Sequence, residues 1–121
     1  MTKLLLTLWV ATLASTLAPL SGAHAHLDRA RPAVGSVVRE SPRELKLWFT
    51  QRLEPAFSKV RVVDRKGKRV DSDDSRVDDT DAKVLRVSLP KLAPGTYRVK
   101  WRVLSVDTHV SEGDFTFDVA P

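Results

Sequence analysis

Cysteine is absent from the 121 residues, and the only methionine is Met1. Without a thiolate the chain has no disulfide scaffold, zinc finger, thiol catalysis or iron–sulfur cluster. Any metal it takes must be held by nitrogen and oxygen. The sequence also has no Gly-rich phosphate loop, no Gly-x-Ser-x-Gly elbow and no His-Glu-x-x-His pair, which removes the commonest nucleotide-binding and hydrolytic signatures. Ser111 lies near His109 and Asp107, but a spacing of two on extended chain is not the geometry of a nucleophile and its base. What remains is ordinary globular composition, 42% hydrophobic and 29% charged, at the length of one domain.

The apolar residues are concentrated at the start. Residues 1–23 carry a single charge, Lys3, then the run Leu4 to Ala14, then Pro19 and the small residues Ser21-Gly22-Ala23. This order is that of a secretory signal peptide. A membrane anchor fits less well, because a bilayer needs about 20 apolar residues and Ser15, Thr16 and Pro19 interrupt this stretch. Cleavage after Ala23 exposes His24 as the first residue, and cleavage after Ala25 exposes His26. The first cut leaves a domain of residues 24–121, 98 residues with a net charge of +4 and no membrane span.

Residues 24–121 read as all-β, with short β-rich segments broken by turn residues. His24 to Arg31 is a first strand, stopped by Pro32 and Gly35. Glu44 to Thr50 places Leu45, Leu47 and Phe49 on one face. Ser58–Asp64 and Lys68–Asp71 flank Arg65-Lys66-Gly67 as a hairpin. Lys83–Leu89 is a further strand, and Tyr97–Val106 puts Tyr97, Val99, Trp101 and Val103 on a shared face. Gly113–Val119 alternates Phe115, Phe117 and Val119 with polar residues. About seven strands in a chain of this length predict an immunoglobulin-like sandwich or Greek-key β-barrel.

Two charged groups invite other readings. The six aspartates between Asp71 and Asp81 fail the EF-hand pattern, since Arg76 stands where Gly is required and Ala82 where Glu is, so a solvated loop is expected. Arg61, Arg65, Lys66, Lys68 and Arg69 lack interleaved aromatics for stacking bases, and an exported protein meets little nucleic acid. These residues read as surface solubility, and no nucleic-acid partner is expected.

Three histidines remain. His24 and His26 stand at the expected new N-terminus, and His109 stands in Asp107-Thr108-His109. An N-terminal His offers its α-amine and imidazole Nδ1 to one metal ion as a six-membered chelate. On extended backbone, Asp107 and His109 point the same way. Three nitrogens and one carboxylate oxygen in a tetragonal arrangement favour Cu(II). A second mode is open: His24-Ala25-His26 can supply an amine, two deprotonated amides and the His26 imidazole.

These residues resemble the CopC-type periplasmic copper-binding proteins. The resemblance spans the mature chain and rests on His24-Ala25-His26-Leu27, Arg31 to Ser36, Leu47-Trp48-Phe49-Thr50-Gln51, Pro94 to Trp101 and Ser105-Val106-Asp107-Thr108-His109. It implies a Greek-key β-barrel with one Cu(II) at one end, bound by His24, Asp107 and His109, and selects the cut after Ala23. It further implies a carrier or buffer in the periplasm, not an enzyme, whose exchange partner is an inner-membrane copper transporter or another periplasmic copper protein. The family often has Phe-Ser-Glu where this chain has Phe49-Thr50-Gln51, so the site here is expected to be less anionic. Some members carry a Met-rich loop for Cu(I); with no Met after Met1, no Cu(I) site is expected here. From another class, a secreted immunoglobulin-like interaction module with incidental histidines fits the same strands.

Overall fold

The structure, a computed structural model, describes residues 24–121; the expected signal peptide, residues 1–23, lies outside the described residues. Eight strands run in chain order as β1 Leu27–Arg31, β2 Val37–Val38, β3 Glu44–Phe49, β4 Lys59–Val63, β5 Arg76–Val77, β6 Val84–Ser88, β7 Gly95–Leu104 and β8 Val110–Val119, with one 3-10 turn at Pro55–Phe57. They form two four-stranded sheets, β1-β3-β6-β5 and β2-β8-β7-β4. The architecture is therefore the sandwich form of the expected fold, with the sheets not closed into a barrel.

Period-two burial built this fold, because a strand covered on one face must place alternate side chains in the core. Leu45, Leu47 and Phe49 of β3 face Val99, Val103, Phe115 and Phe117 of the other sheet, all at most 7% exposed. Only Trp101 of the expected β7 row is partly buried; its ring lies edge-on to Phe49, with centroids 5.1 Å apart. Gly113, its cross-strand partner, makes this possible. A Cβ there would stand 2.5 Å from the Trp101 ring, closer than real Cβ contacts allow.

Two expectations change. Lys68–Asp71 is not a strand, although the turn before it forms, with Gly67 at φ +80° and one bridge between Val63 and Arg69. The fully buried Asp71 side chain accepts the Val62 N–H at 2.7 Å, and Ser75 Oγ accepts the Val60 N–H at 2.9 Å. Side chains thus stand where a neighbouring strand's carbonyls would be and close the β4 edge. The acidic segment is accordingly not a freely solvated loop. Asp74 accepts the Ser88 N–H at 2.7 Å, and Asp78 pairs with Arg86 at 2.6 Å.

Candidate metal centre

Asp107, Thr108 and His109 form the tight turn joining β7 to β8, so the two candidate ligands are not side by side on extended backbone as the spacing suggested. The turn is closed by the Ser105 N–H donating to His109 O at 3.0 Å and the Thr108 N–H donating to Ser105 O at 2.9 Å. Thr108 sits at φ +73°, a region a β-branched residue rarely occupies. Strain of this kind, about 1–3 kcal/mol, collects at functional sites. Here its result is convergence: His109 Nδ1 lies 3.6 Å from Asp107 Oδ1.

Ser105 holds the turn from beneath. Its side chain is fully buried, its hydroxyl donates to Asp107 Oδ1, and it accepts the His109 N–H at 3.3 Å. Hydrogen bonding to Ser105, and next the attraction of His109, lowers the Asp107 pKa below the usual carboxylate value. Asp107 is therefore an anionic oxygen donor at neutral pH. Segment 52–54 buttresses the hairpin through a Leu53–Ser105 bridge, a Glu54 N–H bond to Leu104 O and a Val106 N–H bond to Arg52 O.

The N-terminal residues reach the same end of the sandwich. Ala25 is fully buried, and His26 exchanges two hydrogen bonds with Thr50: its N–H donates to Thr50 Oγ1 at 3.0 Å, and its carbonyl accepts the Thr50 N–H at 2.9 Å. His24 is thus one residue beyond an anchored segment. Its ring meets that of His109 edge-on with centroids 4.8 Å apart, and the ring of His26 is farther from it, at 6.5 Å.

The structure therefore brings together His24 with His109, and His109 with Asp107. Among the described residues these contacts remain pairwise, and no three such side chains form a group that could hold a metal ion. With residues 1–23 attached, the His24 nitrogen is a peptide amide and offers no amine to a metal ion. One observation does fit a metal: His109 Nδ1 is buried without a hydrogen-bond partner among the described residues. In the neutral ring with its proton on Nε2, that nitrogen would have a lone pair to offer an ion. The Asp107 and His109 side chains are 45% and 43% exposed, so the turn itself stands open to solvent although the Nδ1 atom is covered. Sequence reasoning missed Ser105 and Thr50, the two hydroxyl residues that position these groups.

A family model described as the CopC domain matches residues 27–120, a span that includes Asp107 and His109 and starts just after His24-Ala25-His26. The chain is 36% identical over 106 residues to Protein YobA of Escherichia coli (strain K12), covering 87% of this chain and 86% of that protein. It is 33% identical over 117 residues to Copper resistance protein C of Xanthomonas campestris pv. juglandis, covering 91% of each. Among solved structures, CopC from Methylosinus trichosporium OB3b superposes with a TM-score of 0.76 at 38% identity, over 81% of this chain and 95% of that one.

Proposed function

This chain belongs to the CopC family, and from that premise we propose that its processed form is a periplasmic copper carrier or buffer holding one Cu(II) between His24, Asp107 and His109. The observation that carries the site is the convergence at one end of the sandwich of the His24 ring, the His109 ring and the lowered Asp107 carboxyl. Cleavage after Ala23 would turn the His24 nitrogen into an amine and so add the fourth donor. The set is nitrogen and oxygen only, which suits Cu(II) better than the softer Cu(I). No helix among the described residues is long and apolar enough to cross a membrane. The reading is one of binding and exchange through an open site, without turnover.

The structure weighs against the His24-Ala25-His26 mode. That mode requires the Ala25 and His26 amide nitrogens as ligands, yet Ala25 is packed in the core and the His26 N–H is committed to Thr50. Adopting it costs a buried side chain and a two-bond bracket.

The test uses the processed protein, beginning at His24, with one equivalent of Cu(II). A weak visible d–d band and a tetragonal electron paramagnetic resonance spectrum are expected. His24→Phe and His109→Phe should each abolish tight binding while the fold persists by circular dichroism. Tight binding retained in both, and lost in His26→Ala, would replace the three-residue site by the amide mode.

A further inference from the structure

We propose that the outward face of β4, β7 and β8 is a docking surface for an extended acidic segment of a partner protein. Strand alternation puts Lys59, Arg61, Lys100 and Arg102 on the face opposite the buried Val60, Val62, Val99 and Val103. The register sets Lys59 directly across from Arg102 and Arg61 directly across from Lys100. Two successive like-charge pairs on one face disfavour the folded sheet. Across β7 the register sets Glu112 opposite Arg102 and Asp114 opposite Lys100, and an anionic ligand would relieve the repulsion that these two carboxylates leave unanswered.

Only part of this charge is answered within the chain. Arg102 has a loose, exposed pair with Glu112 at 3.6 Å, and Asp114 is taken by Arg98 at 2.7 Å. Among the described residues, Lys59, Arg61 and Lys100 have no ion-pair partner. The four cations line a groove of about 670 Å³, which Arg69, Asp73 and Ser75 close at the β4 edge. A recess of that size accepts a strand-like segment carrying a few carboxylates.

The groove leads to the metal end. The Arg102–Glu112 pair is two residues from the Leu104–Val110 pair that opens the turn bearing Asp107 and His109. On the same face there, Val110 is 48% exposed and supplies an apolar foothold. A protein segment fits better than a lipid surface, because Glu112 and Asp114 stand among the cations and would meet a flat anionic plane with their own charge. An extended peptide can place its carboxylates between them.

The proposal stands on this charge pattern and not on the copper reading, and copper binding is measured on the same samples by the d–d band. The probe is a fluorescein-labelled peptide of alternating Glu and Ser, titrated by anisotropy against the processed protein at low and at 0.5 M salt. Binding should weaken in high salt and fall about tenfold in Arg61→Gln/Lys100→Gln, the size expected for two exposed charge contacts. That variant should melt no lower than the parent. Arg65→Gln/Lys66→Gln removes equal charge from the exposed turn after β4 and should change binding little. Absence of peptide binding, equal loss in the two double variants, or groove-dependent binding of phosphatidylglycerol vesicles in place of the peptide would each overturn the proposal.

Discussion

Replacing Ser105 by alanine should leave the sandwich folded and loosen the turn that carries Asp107 and His109, the proposed copper ligands. The buried hydroxyl donates to Asp107 and accepts the His109 N–H at 3.3 Å. Each bond is worth about 1 kcal/mol net, and the partly exposed Asp107 carboxylate can turn to water, so the loss is about 1–2 kcal/mol. For a domain of this size that lowers Tm by roughly 4–16 °C. The freed Asp107 side chain must then be ordered on binding, at about 0.5–1.5 kcal/mol, which weakens Cu(II) affinity about two- to twelvefold. Competition against a chromophoric Cu(II) chelator reads the affinity, and a thermal melt of the apoprotein reads the stability. Ser105→Thr keeps the hydroxyl and should recover affinity even where its extra methyl lowers Tm. Wild-type affinity in Ser105→Ala, with only Tm reduced, would refute the claim that Ser105 sets the ligand geometry.

Gly113→Ala should destabilise by about 1–3 kcal/mol, because its Cβ would enter the space of the Trp101 ring 2.5 Å away; denaturant titration with tryptophan emission follows both stability and the displaced indole. Asp78 titrates at about 2, held down by Thr80 first and Arg86 second, so its contribution is complete above about pH 4 and lost as pH falls toward 2. Asp78→Asn should therefore flatten that acid limb of a stability–pH curve. A chain with a blocked His24 nitrogen, acetylated or still joined to Ala23, should bind Cu(II) far more weakly than the processed form; equal affinities in a chelator competition would remove the amine from the site.

How far the fold was legible depended on whether its cause was local. Leu45, Leu47 and Phe49, and likewise Phe115, Phe117 and Val119, announce their strands because burial on one face writes itself into alternate positions. β8 begins three residues before the expected Gly113, since Ser111 and Gly113 are small and blur the alternation just where Trp101 needs room. β2 has two residues and pairs in parallel with β8, too short to leave any period. Asp107 and His109 could be singled out as chemistry, but not their turn, since nothing in a threonine's identity signals a positive φ. Ser105 and Thr50 were invisible as positioning groups for a related reason. Thr50 acts on His26, a partner distant in sequence, and Ser105 reaches the nearby Asp107 and His109 only because the turn folds them back over it. The like-charge pairs of β4 and β7 likewise exist only once register is known.

The anchored residues that follow His24, Ala25 and His26, run into β1 of one sheet, whereas Asp107 and His109 sit on the hairpin of the other. An ion shared among them, as proposed, would be a removable staple between the two layers, in a chain that has no cysteine with which to make a permanent one. Free ligand at a thousand times its dissociation constant adds about 4 kcal/mol to the folded state. Empty copies would open more often than filled ones and be the first taken by proteases. Copper supply would then set the lifetime of the molecule as well as its occupancy, with no separate regulator needed.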